Sequence, residues 1–212
     1  MRRAAVILAA GFGTRMRSRK AKVLHEILGK PMINYVVENY RAAGVDKMVI
    51  VVGYQGEEVQ KALAGLDMDL TFAWQHEQLG TAHAVTQAEP YLKDFSGSIL
   101  VGYGDSPLYR PETIAGLVEH HEQACAECTV LSAIYERPFG YGRILRDEQG
   151  DFVRVVEEKD ASPEQKQIRE INTGVYVFSS QHLWDALAEV KANNAQKEYY
   201  LTDVPGIMRR KG

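Results

Sequence analysis

Over the first 123 residues, short continuous apolar runs alternate with segments whose apolar residues recur at helical spacing. The apolar runs predict buried strands at 4–9, 47–53, 69–74 and 98–105. The segments between them predict helices at 31–43, 56–65, 80–92 and 111–123. Because continuous apolar strands separated by helices are typical of parallel sheets covered on both faces, this half of the chain predicts a doubly wound α/β sheet.

The pattern changes after residue 128. Strand-like runs at 128–135, 141–147, 152–160 and 171–179 follow one another with few helical segments between them until a predicted helix at about 181–191. The polar stretch at 160–170 is typical of a surface loop. We therefore expect a mixed or antiparallel extension of the sheet.

Composition narrows the class of protein. The chain has 212 residues, 45% hydrophobic and 25% charged, so we expect a single globular domain at 1–212. A net charge of −3 provides no general attraction to nucleic acid or to a membrane surface, and any anion site must be local. We found no apolar run long enough to cross a membrane and no leader, and we expect a cytoplasmic location.

A glycine turn followed by cations is the first candidate site. Gly11 and Gly13 follow the first strand, and the next ten residues include Arg15 and Lys22. Glycines between a strand and a helix allow backbone N–H groups to approach phosphate closely. A dinucleotide fingerprint would need a third glycine where Met16 stands, and a P-loop ending is absent. The alternative is a simple tight turn with solvated cations.

Asp105 ends an otherwise apolar predicted strand, at the sheet edge where ligands of doubly wound folds bind. A carboxylate there could hold Mg²⁺ against nucleotide phosphates, because Mg²⁺ takes few protein ligands and fills its remaining positions with phosphate and water. An aspartate at a strand end is also a common turn former.

The stretch WQHEQLGTAHA at 74–84 places glutamine amides beside Gly80 and Thr81 at a helix start. Amides can pair with both donor and acceptor edges of a base, which favours a base-reading loop. The alternative is a hydrophilic loop in which His76 and His83 are merely exposed or hydrogen-bonded. Spacing alone does not decide between them.

Cys125 and Cys128 form a lone CxxC. A zinc site needs four ligands and the chain has no second CxxC, so we interpret the pair as structural rather than as a metal or redox motif.

Eight motifs occur in one order along the chain, and together they are far more specific than one glycine turn. They are LAAGFGTRM, KVLH, QHEQLGTAHA, YGDSPL, GYGRI, VEEKDA, EINTGVYVF and NNAQKEYYLTD. With them the sequence resembles the sugar nucleotidyltransferases, and within that group the uridylyltransferase domain of bifunctional N-acetylglucosamine-1-phosphate uridylyltransferases.

The resemblance implies a Rossmann-like doubly wound mixed sheet, the nucleotide-diphospho-sugar transferase fold, with a smaller antiparallel extension. It implies Mg²⁺-dependent transfer of UMP from UTP to N-acetylglucosamine 1-phosphate, which yields pyrophosphate and the cell-wall precursor UDP-N-acetylglucosamine. The implied partners are these small molecules, without nucleic acid or membrane.

The resemblance also implies roles for individual residues. Leu8, Ala9, Ala10, Gly11 and Gly13 would contact the nucleotide, Gln75, Gly80 and Thr81 would recognise uracil, and Tyr103 and Gly104 would line the site. Arg15, Lys22 and Asp105 would be catalytic, the two cations on the phosphates and Asp105 on Mg²⁺. Gly142, Glu157 and Asn172 would hold the amino sugar, whereas Gln78 and His83 lie in a motif without an implied role.

Two departures qualify these expectations. Ala21 stands where the family usually has proline before the lysine, which would loosen the approach of Lys22. The 212 residues also end before an asparagine that, in the family, joins the aspartate on the metal, so we expect nucleotide or product binding more than full turnover. They end before the family's acetyltransferase repeats as well, so we expect no acetyl transfer, and oligomerisation only through regions beyond this chain. A related transferase with another base or sugar, and a non-catalytic nucleotide-sugar-binding module, remain alternative hypotheses.

Overall fold

The computed structural model describes residues 1–13, 16 and 18–211, which form a mixed main sheet with helices on both faces and a separate two-stranded sheet. The strands are β1 (Arg3–Ala9), β2 (Glu26–Ile27), β3 (Lys30–Pro31), β4 (Lys47–Val52), β5 (Leu70–Trp74), β6 (Ser98–Tyr103), β7 (Cys128–Ile134), β8 (Arg143–Arg146), β9 (Phe152–Val156) and β10 (Glu170–Ser179). The α-helices are α1 (Met32–Ala42), α2 (Gly56–Leu63), α3 (Thr81–Thr86), α4 (Glu89–Leu92), α5 (Pro111–Gln123), α6 (Ser180–Ala188) and α7 (Val204–Lys211). Short 3₁₀ helices cover Lys22–Leu24, Gln165–Gln167 and Leu201–Asp203.

Within the described residues the main sheet has eight strands, in the order β5-β4-β1-β6-β10-β8-β9, with β7 paired to β10. Strands β5, β4, β1 and β6 are parallel, and β10, β7, β8 and β9 pair antiparallel. The predicted doubly wound mixed sheet with an antiparallel extension is thereby confirmed.

Two hydrophobic cores cover the faces of the sheet. Because side chains alternate along a strand, successive β1 residues contribute to opposite cores: Ala4, Val6 and Leu8 to one, and Ala5, Ile7 and Ala9 to the other. Helices α3, α4, α6 and α7 pack on the first face, and α1, α2 and α5 pack on the second. The central strands are therefore buried on both sides and end together at one edge.

Strand β10 joins the two parts of the sheet. Its residues Tyr176–Ser179 pair with β6, whereas Ile171, near its beginning, pairs with Arg143 of β8. The register with β7 shifts between Asn172 and Tyr176, so the strand is irregular where its neighbour changes from β8 to β6.

Several elements differ from the sequence prediction: β2 and β3 were not predicted, β9 ends before residue 160, and three further differences have a clear cause. The helix predicted at 80–92 is interrupted between α3 and α4, because the ring of Pro90 is incompatible with a helical carbonyl four residues earlier, at Thr86. Strand β6 ends at Tyr103, so Asp105 lies in the turn that follows. Helix α7 was not predicted, because its sequence opens with Val204-Pro205-Gly206, which is typical of a turn.

None of the described helices is both long and apolar enough to span a bilayer.

We predict that Gly102→Ala destabilises the fold by about 2 kcal/mol, because a Cβ on this β6 residue would lie 2.1 Å from the hydroxyl oxygen of buried Tyr40. In a Tyr40→Phe background the loss should be smaller, since the clashing oxygen is gone. Urea unfolding of the two single variants and the double variant measures both effects.

Gly116→Ala is the matched control. A Cβ there meets nothing within 4 Å, so this change inside α5 should stabilise by about 0.5–1 kcal/mol. Equal losses for Gly102→Ala with and without the Tyr40 hydroxyl would contradict the steric explanation.

Candidate functional site

A cavity of about 570 Å³ lies where β1, β5 and β6 end. Its walls contain most of the residues that the sequence predicts to bind nucleotide, namely Leu8, Ala9, Ala10, Gly11, Gly13, Lys22, Gln75, Gly80, Thr81, Tyr103 and Asp105. These residues come from separate parts of the chain and meet because parallel strands end at the same edge. The volume is in the usual range for small-molecule sites.

The glycine turn forms one wall. Gly13 has a φ of +63°, and a Cβ there would lie 2.7 Å from the Cβ of Lys22, so both conformation and space require glycine. On the other side of the turn, the Gln78 amide donates to the carbonyl oxygen of Ala10 at 3.0 Å. Gln78, to which the sequence assigned no role, therefore connects the glycine turn to the loop at 75–80, called here the glutamine loop.

Lys22 and Asp105 face each other in the cavity. The Lys22 Nζ lies 2.5 Å from the Asp105 Oδ2, and both side chains are partly exposed. The predicted phosphate-binding cation and the predicted metal ligand therefore form an ion pair. Arg15, the other predicted phosphate contact, lies outside the described residues.

Ala21 holds the backbone just before Lys22. Its φ is −53°, within the range that proline would impose, and its N–H donates to the Gln55 Oε1 at 2.6 Å. The expected loosening by loss of proline is therefore offset by a hydrogen bond that proline could not make.

The glutamine loop forms the opposite wall. Gly80 has a φ of +121°, and a Cβ there would lie 2.5 Å from the carbonyl oxygen of Tyr199. The loop is bound to residues 199–201: the Tyr199 N–H donates to Leu79 O, the Ala82 N–H to Tyr199 O, and the Leu201 N–H to the Thr81 hydroxyl, all at 2.8–2.9 Å.

The motif NNAQKEYYLTD provides this support. Asn194 organises the preceding turn, because its Oδ1 accepts from the N–H groups of Gln196 and Glu198 and its Nδ2 donates to Glu198 O. The Asp160 carboxylate accepts from the Ala195 N–H at 2.8 Å and connects the VEEKDA motif to the same turn. Both motifs thus stabilise the wall that carries Gly80 and Thr81.

The predicted sugar-binding residues form a second group behind Tyr103. The Asn172 N–H donates to Gly142 O at 2.9 Å, and its side-chain amide donates to the Tyr176 hydroxyl at 2.6 Å. Gly142, Glu157 and Asn172 do not line the cavity itself. Burial raises the pKa of the Tyr103 phenol, and the carboxylates of Glu157 and Asp105 raise it further.

Glu157 is the titratable member of this group. Burial is the largest cause that raises its pKa, a hydrogen bond with Thr202 opposes it, and nearby Asp160 and Asp203 raise it further. A raised pKa keeps the Glu157 carboxyl protonated, and so able to donate as well as accept a hydrogen bond, up to a higher pH than an exposed glutamate.

Gly104 lies behind the cavity wall. Its N–H donates to Leu8 O at 2.9 Å, and a Cβ there would lie 2.5 Å from the Ile33 side chain. Its position serves the packing of β6 against β1 and α1 rather than the cavity surface.

The residues present fit a magnesium ion that is shared with substrate phosphates. Among the described residues there is no group of three histidine, cysteine, aspartate or glutamate side chains that could hold a metal alone. Asp105, a hard oxygen ligand at an open cavity, is the kind of single carboxylate with which Mg²⁺ and phosphates are held together. Cys125 and Cys128 are both free thiols, far along the chain from this site.

Comparison with known proteins assigns the family. A model of the nucleotidyl transferase family matches residues 4–210. The chain belongs to the nucleotidyl transferase family. The relatives that it matches include the bifunctional protein GlmU of Brevibacillus brevis, 51% identical over 98% of this chain and 44% of that protein, and GlmU of Pelotomaculum thermopropionicum, 51% identical over 99% of this chain and 45% of that protein.

GlmU of a Geobacillus species is 49% identical over 100% of this chain and 46% of that protein. The chain therefore spans slightly less than half the length of these relatives. A crystal structure of a UDP-glucose pyrophosphorylase in complex with UDP-glucose has the same fold, with a TM-score of 0.81 and 20% identity over 100% of this chain and 88% of that chain.

For this nucleotidyl transferase, sequence reasoning missed five residues of the cavity wall: Met16, Val23, Gln78, Ala84 and Glu198. Met16, Val23 and Ala84 lie within or beside motifs that were recognised, so their neighbours were the available signal. Glu198 lies in the NNAQKEYYLTD motif, whose support of the cavity wall depends on contacts with residues over a hundred positions away.

We predict that Ala21→Pro destabilises this nucleotidyl transferase by about 1 kcal/mol, because the change removes the N–H that Gln55 accepts and places a ring carbon against its oxygen. Gln55→Ala tests the same bond from the other side, and in the double variant the proline should become neutral or stabilising, since the φ of Ala21 suits it. Urea unfolding of the two single variants and the double variant gives their free energies of unfolding. Stabilisation by Ala21→Pro with Gln55 intact would contradict the explanation.

Proposed function

We propose that this chain transfers UMP from UTP to N-acetylglucosamine 1-phosphate and releases UDP-N-acetylglucosamine and pyrophosphate. The observation that carries the proposal is a single cavity in which a buried glutamine amide, a glycine turn and the Lys22–Asp105 pair face the same space. The eight motifs and the GlmU relatives support this reaction among those of the family. Because the chain covers under half of each relative, the activity of the chain itself is part of the proposal.

The base end of the substrate would meet the glutamine loop. Gln75, Gly80 and Thr81 line the cavity there and are the groups proposed to bind uracil. The UDP-glucose held by the pyrophosphorylase of the same fold supports a uridine diphosphate as a ligand of matching size.

The phosphates would meet the glycine turn and its cations. Lys22 borders the cavity beside Gly11 and Gly13 and would neutralise phosphate charge, and Arg15 is proposed for the same role from the sequence alone. Asp105 would hold Mg²⁺, which when bound draws the phosphates of both substrates together and offsets their charge.

The sugar phosphate would enter from the side of Tyr103. Gly142, Glu157 and Asn172, grouped behind that ring, are proposed to hold the amino sugar. Asn172 is fixed by Tyr176 and by the Gly174 N–H, so its amide is oriented before the sugar binds.

The reaction needs positioning more than side-chain chemistry. A phosphate oxygen of the sugar phosphate attacks the α-phosphorus of UTP, the bond from that phosphorus to the bridging oxygen breaks, and pyrophosphate leaves with the electron pair. The attacking oxygen is already ionised at neutral pH, since the second pKa of a phosphate monoester is about 6, so no base has to remove a proton. Lys22 contributes by stabilising charge on the departing phosphates.

A substrate panel tests the proposal. Pyrophosphate release should be fastest with UTP, N-acetylglucosamine 1-phosphate and Mg²⁺, and slower with CTP, dTTP or ATP and with glucose 1-phosphate. Preference for another pair would favour a related transferase. Binding of UDP-N-acetylglucosamine without turnover of any pair would favour a nucleotide-sugar-binding module.

Asp105→Ala should lower turnover at least about a hundredfold, because the proposed metal ligand is lost. Asp105 is a partly exposed side chain in a turn, so the midpoint of thermal unfolding should change by no more than about 2 °C. Asp67→Ala, which removes an exposed carboxylate in the turn after α2, is the matched control and should change neither value. Full activity of Asp105→Ala would exclude the proposed role.

A further inference from the structure

We infer that His83 is a positioning residue that fixes the side-chain amide of Gln75. The amide then presents only its acceptor oxygen to the cavity, and uridine is selected over cytidine. The inference rests on the proposed function, because it concerns how that function recognises its base. His83 belongs to the QHEQLGTAHA motif and had no role in the sequence analysis. It lies on α3 between Thr81 and Ala84, both of which border the cavity.

The geometry of the Gln75 amide carries the inference. Gln75 is 4% exposed, and its Nε2 lies 3.2 Å from Gly80 O and 3.0 Å from His83 Nδ1. Both hydrogens of the amide are therefore used inside the protein when the His83 Nδ1 is the unprotonated ring nitrogen. The Oε1 has no hydrogen-bond partner within the described part of the chain, and Gln75 borders the cavity, so the oxygen is the group left for a ligand.

The two partners act together. The carbonyl oxygen of Gly80 can only accept, so a rotated amide would place Oε1 against another acceptor. His83 completes the arrangement when its Nδ1 is unprotonated and its Nε2 carries the hydrogen. On the far side of the ring, the Gln87 Nε2 lies 3.3 Å from the His83 Nε2. Its two hydrogens have other acceptors, His83 O at 2.9 Å and the Thr86 hydroxyl at 3.3 Å, so Gln87 does not need the ring as an acceptor.

A fixed acceptor distinguishes the two pyrimidines by their N3 atoms. Uracil has an N3–H that donates, whereas cytosine has a bare N3 that would face the lone pairs of Oε1. A site built for one hydrogen-bond pattern rejects a ligand with the opposite pattern, because the buried polar atoms are left unpaired. Loss of the His83 bond would leave the amide held at one point only, and it could then turn its nitrogen toward cytosine.

His83→Leu and His83→Asn form a matched pair for the test. Leucine removes the acceptor and keeps bulk, whereas the asparagine Oδ1 can take the place of Nδ1. We expect His83→Leu to reduce the ratio of kcat/KM for UTP over CTP by about tenfold, the effect of one lost hydrogen bond, and His83→Asn to restore most of the ratio. The ratio of the CDP dissociation constant to the UDP dissociation constant should fall in His83→Leu and recover in His83→Asn. Circular dichroism and thermal unfolding confirm that each variant is folded.

A purely structural role would lower UTP and CTP use equally in His83→Leu, and that outcome would overturn the inference. A second measurement separates it from the proposed function. Long-range ¹H–¹⁵N correlation of the His83 ring in the ligand-free protein should show hydrogen on Nε2 and none on Nδ1. If uridine nucleotides neither bind nor react, the proposed function fails, while this tautomer would still support the positioning of Gln75 and the opposite tautomer would overturn it.

Discussion

The register of β1 between β4 and β6 is the constraint on which the site depends. Leu8 pairs with Val51 on one side and Tyr103 on the other, and the ladder extends one step further through the Gly104 N–H to Leu8 O. The glycine turn after Ala9 and the turn that carries Asp105 therefore begin at the same level of the sheet. A one-residue slip would reverse the faces of β1 and move Lys22 away from Asp105.

The sheet could be predicted because each central strand is a continuous apolar run with helical segments on either side. The prediction was wrong where tertiary contacts or a single local residue determine the structure. Helix α7 has an opening that favours a turn in isolation, and it forms because Val204, Ile207 and Met208 are buried against the core. The interruption after α3 follows from Pro90, a local signal that the helical spacing around it concealed.

The sequence predicted which residues form the site better than it predicted the contacts that hold them in place. Residues such as Ala21 and Thr81 are found from sequence, but their partners are distant in the chain: Gln55 holds Ala21, and the Leu201 N–H binds the Thr81 hydroxyl. Spacing does not reveal such contacts, because a loop can bring any two surface positions together. The polar groups of the cavity wall therefore come from short sequence motifs, whereas the hydrogen bonds that hold those motifs come from distant parts of the chain.

The contact between Lys22 and Asp105 also bears on which ions enter the cavity. A simple anion such as chloride or acetate would have to compete for the ammonium with a carboxylate already held beside it. Such an ion brings one charge and no cation to compensate Asp105, so the exchange gains little. A polyphosphate carries several charges and its own counter-ion, and it can satisfy both residues at once. The Lys22–Asp105 ion pair would therefore disfavour simple monovalent anions relative to a polyphosphate that carries its own cation.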